Sequence, residues 1–106
     1  NLCVTAPGLS SFDAIYQIDK SGSVSVRCRG FGRPQGIAFS ADGSLFIAAC
    51  YEARRGIFRV TEDCRCELIV AGPNLVGLCF NKLGDMIIAS TDAIYKVPGS
   101  ASAIPG

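Results

Sequence analysis

Short apolar runs of three to six residues, parted by Gly, Pro, Asp and Ser, recur along the whole chain. They are too short, and too rich in β-branched and aromatic residues, for helices, and they predict β-strands joined by tight turns. The runs fall into four kinds. Gly36-Ile37-Ala38-Phe39 returns 41 residues later as Gly77-Leu78-Cys79-Phe80. Leu45-Phe46-Ile47-Ala48 returns as Met86-Ile87-Ile88-Ala89 and is preceded by Leu2-Cys3-Val4-Thr5. A third kind is Ile15–Ile18, Ile57–Val60 and Ile94–Val97, introduced twice by the string Asp-Ala-Ile-Tyr. The fourth is Val24-Ser25-Val26 and Cys66-Glu67-Leu68.

The turns repeat with the strands. Ser40-Ala41-Asp42-Gly43 matches Asn81-Lys82-Leu83-Gly84, and Asp19-Lys20-Ser21-Gly22 serves the third and fourth kinds. Glycine late in such a turn supplies positive φ without steric strain. Each unit of about forty residues is thus a four-stranded antiparallel meander. Such a unit cannot bury both faces alone, and stacking several around an axis can. The expected fold is all-β: a β-propeller segment of about two and a half four-stranded blades. With strands a to d running outward from the axis, the chain reads b-c-d, a-b-c-d, a-b-c. Residues 1–106 then form one partial propeller domain, with blades at 1–30, 31–72 and 73–106, and the tail 99–106 offers a poor outer strand.

Composition narrows the rest. Half the residues are hydrophobic, so a packed core is expected rather than disorder. A net charge of +1 is no electrostatic footprint for nucleic acid or an anionic membrane. No apolar run reaches the roughly 20 residues of a membrane helix, and the N-terminus shows no signal-peptide pattern. The chain contains no His, which removes the usual physiological-pH base and the commonest metal ligand. The six cysteines are Cys3, Cys28, Cys50, Cys64, Cys66 and Cys79. An even count is compatible with a disulfide framework. Because Cys3, Cys28, Cys50 and Cys79 sit in apolar runs, the preferred expectation is reduced, buried thiols in a cytoplasmic protein. Cys64-Arg65-Cys66 has no second pair at zinc-site spacing.

The run Gly32-Arg33-Pro34-Gln35-Gly36-Ile37-Ala38-Phe39-Ser40-Ala41-Asp42-Gly43, continued by Ser44–Ala48, resembles a blade of the NHL-repeat and gluconolactonase-like (senescence marker protein type) six-bladed propellers. The resemblance implies, for the gluconolactonase-like enzymes, a divalent metal near the axis, held by Asn, Asp and Glu side chains from several blades. Two of those positions precede the Gly that opens strand a. Here they are Gln35, a weak candidate through its amide oxygen, and Val76, which has no donor.

The connections b–c and d–a of a propeller share one rim. Gln35, Arg33, Tyr51, Glu52, Arg54, Arg55 and Asn74 are therefore expected to surround one entrance, where the arginines suit an anionic ligand. The aligned aromatics Tyr16, Phe58 and Tyr95, with Phe39 and Phe80, are expected to pack between blades. Asp13 and Asp92 are expected to cap loops rather than to catalyse. The favoured function is a non-catalytic propeller module, without a cofactor, that binds a ligand or partner at one rim. The alternative is a lactone hydrolase taking Ca²⁺ or Zn²⁺ through ligands from other blades. Either the chain self-assembles, a dimer of three-blade halves being favoured, or it completes a longer propeller.

Overall fold

A computed structural model describes residues 2–5 and 13–98; the 99–106 tail, with its expected outer strand, lies outside the described residues. Ten strands follow in order: β1 (Leu2–Thr5), β2 (Asp13–Ile18), β3 (Val24–Gly32), β4 (Ile37–Phe39), β5 (Leu45–Tyr51), β6 (Arg54–Val60), β7 (Cys66–Ala71), β8 (Leu75–Phe80), β9 (Met86–Ser90) and β10 (Ile94–Val97). Every sequential hairpin pairs antiparallel, giving β1-β2-β3, β4-β5-β6-β7 and β8-β9-β10. These are the meanders b-c-d, a-b-c-d and a-b-c of a partial propeller. The first two are continuous, because Phe31 and Gly32 at the end of β3 pair with Tyr51 and Cys50 of β5.

Four hairpin turns share one backbone recipe. The first residue donates its N–H to the carbonyl four residues on, and accepts from the N–H three residues on: Asp19–Ser23, Ser40–Ser44, Thr61–Arg65 and Asn81–Asp85. The fourth residue of each lies at positive φ. It is Gly22, Gly43 and Gly84 in three of them and Cys64 in the other. The Thr61–Arg65 turn was not predicted, because its left-handed position carries Cys rather than the expected Gly.

Alternation along β5 builds the interior. Leu45 and Ile47 point into one core cluster with Ile15, Cys28, Phe31, Phe58 and Val60. Phe46 and Ala48, on the opposite face, join Ile57, Met86 and Ile88 in a second cluster. The middle blade is therefore buried on both faces, and β5 reads as an unbroken apolar run. The second and third blades approach closely at Gly36. A Cβ there would stand 2.6 Å from the Gly77 Cα, whereas one on Gly77 would meet only the Ala89 Cβ at 3.7 Å, so Gly36 is the residue that lets the blades meet.

Two expectations need correction. The cysteines are not all reduced: Cys28 of β3 and Cys64 of the β6–β7 turn form a disulfide between the first two blades, and Cys79 is exposed. The pairing was illegible because no spacing rule links an outer strand to the next blade's turn. The aromatics are not all interior either. Phe58 is fully buried, whereas Phe39 is 44% and Tyr95 53% exposed.

Candidate functional site

The connection from β3 to β4 carries Arg33, and that from β7 to β8 carries Asn74, 41 residues later. Both hold left-handed backbone, at φ 48° and 61°. Arg33 does so directly before Pro34, where the following ring already restricts the backbone. Asn tolerates this region, whereas Arg33 is strained in it by about 1 kcal/mol or more, and such strain gathers at sites that present side chains. Both loops are anchored by the backbone. Gln35 N–H donates to the Ala48 carbonyl at 3.0 Å, and the Gln35 carbonyl accepts from Thr5 Oγ1 at 2.9 Å. Thr91 N–H donates to the Asn74 carbonyl at 3.1 Å, tying the b–c turn of the third blade to the d–a connection.

These loops line a cleft of about 540 Å³ at the inner end of the second and third blades. Its polar lining is Arg33, Gln35, Arg55, Asn74 and Thr91, set against Val76, Leu75 and Gly-rich backbone. Among the described residues no carboxylate lines it. Neither Arg33 nor Arg55 joins an ion pair among the described residues, whereas Arg59 pairs with Glu67 at 2.8 Å and Arg65 with Asp63 at 3.2 Å.

Of the seven candidate residues, Arg33, Gln35, Arg55 and Asn74 are thus brought together. Tyr51, Glu52 and Arg54 do not line the cleft. The reason is hairpin register. β5 and β6 stay paired through Cys50↔Arg55 and Tyr51↔Arg54, with Glu52 and Ala53 alone in the turn. Cross-strand partners share a face, and successive pairs take opposite faces. Cys50 and Arg55 face the cleft, so Tyr51 and Arg54 face away. Tyr51 stacks instead against Phe31 and Phe58, at centroid distances of 5.3 and 5.8 Å. Its phenol is raised above its ordinary pKa by the neighbouring Cys66 sulfur, then by burial and Glu52. Burial likewise pushes the Cys66 thiol up. The lining that sequence reasoning missed is Thr91 and Cys50, which the 41-residue repeat pairs with one another.

Asp92 sits in the Ser90–Ala93 turn, where Ser90 Oγ donates to Asp92 Oδ1 at 2.9 Å and accepts from the Ala93 N–H at 3.0 Å. Ser90 does the backbone capping that was expected of Asp92. Asp13 opens β2.

A divalent cation does not fit this donor set. Hard cations take oxygen ligands with carboxylates prominent, and the cleft offers carboxamides beside two guanidinium groups. Val76 contributes nothing at the second expected ligand position. Among the described residues no cluster of three His, Cys, Asp or Glu side chains is placed to hold a metal. A larger cavity of about 840 Å³ opens at the other ends of the hairpins, beside Asp42, Glu62, Arg27 and Arg59. Its mixed charges give no single preference for a ligand.

No protein-family model matches the chain, and no curated protein matches it in sequence. Among solved structures it is similar to the X-ray structure of a protein assigned as a gluconolactonase, with TM-score 0.65 and 16% identity over 85% of this chain. The fold is part of a β-propeller. At that identity the likeness establishes the scaffold alone, and the chain spans 33% of the other protein's length. In propeller terms, the cleft lies where strand-a entrances of adjacent blades meet, on the rim shared by the b–c and d–a connections.

Proposed function

We propose that this propeller segment is a non-catalytic module that binds a small anionic ligand at the rim cleft. The observation that carries this reading is the lining: two guanidinium groups, two carboxamides and a hydroxyl, with no carboxylate among the described residues. Guanidinium groups bind carboxylates and phosphates through paired N–H donors. Gln35, Asn74 and Thr91 add neutral hydrogen bonds that can orient a hydroxylated anion. The module works either as a self-assembled ring, a dimer of three-blade halves by preference, or within a longer propeller of the NHL or gluconolactonase-like kind. It needs no cofactor.

Titration with inorganic phosphate and with gluconate, followed by amide chemical shifts, tests the cleft. Saturable shifts are expected around Arg33, Arg55 and Asn74. Each Arg→Ala substitution is expected to weaken binding by about 1–2 kcal/mol, as for hydrogen bonds to a charged group on a solvent-exposed surface. Shifts that never saturate, or that survive the Arg33→Ala/Arg55→Ala double variant, count against it.

The likeness to an assigned gluconolactonase supports a second reading, a lactone hydrolase whose metal ligands come from other blades. Under it, glucono-lactone turnover by the assembled protein rises with added Ca²⁺, Zn²⁺ or Mn²⁺, and Gln35→Leu lowers it while assembly survives. Absence of metal-dependent turnover removes this second reading and leaves the first.

A further inference from the structure

The junction between the first and second blades is closed by three aromatic rings, Phe31, Tyr51 and Phe58. The repeat supplies the equivalent positions at the next junction. Phe31 corresponds to Gly72, 41 residues on, and Phe58 to Tyr95 of β10, while Tyr51 has no counterpart in the shorter β9–β10 hairpin, whose turn carries Asp92. Two of the three rings are therefore missing. The third is 53% exposed, where Phe58 is fully buried. The register explains the second loss: the β5–β6 hairpin runs two residue pairs beyond Ala49↔Gly56, whereas the matching hairpin of β9 and β10 already turns after Ser90.

A cavity of about 430 Å³ occupies that place, and Gly72, Asp92 and Tyr95 all line it. Its walls are otherwise mainly apolar, from Val70, Leu75, Ile88 and Val97. Asp92 is its one charged side chain, and Ser90 Oγ occupies one carboxylate oxygen. The cavity shares Gly72, Asn74 and Leu75 with the cationic rim cleft, yet its electrostatic preference is reversed.

We propose that this inter-blade cavity is a second ligand site, for an aromatic ring carrying a protonated amine. The ring takes the volume that Phe31 and Tyr51 fill at the preceding junction and stacks on Tyr95, as aromatic pairs do at offset or edge geometry. The ammonium meets the Asp92 carboxylate at the mouth. This site is independent of the anionic reading of the rim cleft and stands or falls separately from it.

Phenethylammonium, with neutral phenethyl alcohol as its near-isostere, provides the probe pair in an amide chemical-shift titration. Saturable shifts are expected for residues around Gly72, Ser90, Asp92 and Val97. The amine is expected to bind roughly two- to fivefold more tightly than the alcohol, the scale of an exposed charge pair. Asp92→Asn should abolish that difference while the ring still binds. Gly72→Phe restores the missing ring and should eliminate binding. A Cβ at Gly72 meets only the Leu75 side chain, at 3.7 Å (Cδ1) and 3.9 Å (Cγ), so the backbone accepts the change. Asp92→Tyr fills the cavity from the other side and should act alike, which keeps the test decisive if one variant misfolds. No saturable shift with phenethylammonium, or undiminished binding by both filled variants, overturns the site. Equal affinity for amine and alcohol overturns the charge assignment. A probe that binds the isolated chain but not the assembled ring also overturns it, since a neighbouring segment then owns the space.

Discussion

Cys64 shows how one residue can stand against its local rule. It occupies, at φ 64°, the place that Gly22, Gly43 and Gly84 hold in the three sister turns. A non-Gly residue there is strained by about 1 kcal/mol, and the disulfide to Cys28 offsets that strain. Closing a loop with a sequence separation of 36 contributes about 3–4 kcal/mol on the chain-entropy scale. Two substitutions separate the terms. Cys64→Ser loses the cross-link and keeps the strain; Cys64→Gly loses the cross-link and relieves it. Denaturant midpoints should therefore rank oxidised wild type above Cys64→Gly, and Cys64→Gly above Cys64→Ser by about 1 kcal/mol. Reductant should lower only the wild type. An unchanged wild-type midpoint under reductant, or no gap between the two variants, contradicts this account. The sequence hid the turn and the bond together, because the residue that makes the bond replaces the glycine that would have announced the turn.

At the scale of the element, the shared turn recipe is also a pH device. Asp19, Asp42 and Asp63 all titrate below the ordinary value of 3.8. The largest cause is a hydroxyl donor in each case: Ser21 for Asp19, Ser40 for Asp42 and Thr61 for Asp63. Backbone N–H donors add to this at Asp19 from Ser23 and at Asp42 from Ser44. The folded chain thus prefers the carboxylate form. The resulting stability is present above pH 3.8 and is lost as pH falls through the lower folded values. Asn81 is the internal control. Its Oδ1 accepts the Leu83 and Asp85 N–H groups at 2.9 Å with no proton to gain. A triple variant, Asp19→Asn, Asp42→Asn and Asp63→Asn, should fold at neutral pH and lose less stability on acidification. Parallel acid slopes for variant and parent, read from melting temperatures, would contradict this. The strands and three of these turns were legible because apolar alternation and Gly placement are local signals. The cleft was legible only in part. Arg33 and Asn74 follow from the repeat, but Tyr51 and Arg54 were misplaced because two added residue pairs in a hairpin decide which face each side chain takes.

For the whole molecule, equivalence between blades identifies which exposed apolar residues are unfinished interface. Leu45 and Ile47, which face the first blade, are 1% and 0% exposed; their counterparts Leu2 and Val4 are 60% and 37%. Ile57, covered by the third blade, is 0% exposed, and its counterpart Ile94 is 70%. Among the described residues, β1 and β10 each pair on one edge only. Both ends of the segment therefore present the surface that buries one blade against the next, together with open strand edges that invite pairing. For a chain that spans 33% of the length of a structurally similar propeller and carries both faces, we propose that further blades complete it. If a second copy supplies them, light scattering at micromolar concentration should give at least twice the chain mass. Ile94→Glu should return the mass to that of the monomer, because burying an unpaired carboxylate at such a face is strongly unfavourable. The same substitution should leave the core intact, since Ile94 is exposed in the single chain. A wild-type protein that stays monomeric under these conditions assigns the two faces to further blades of one longer chain. In that case Ile94→Glu should destabilise the longer chain by more than about 3 kcal/mol while leaving the 106-residue segment unchanged.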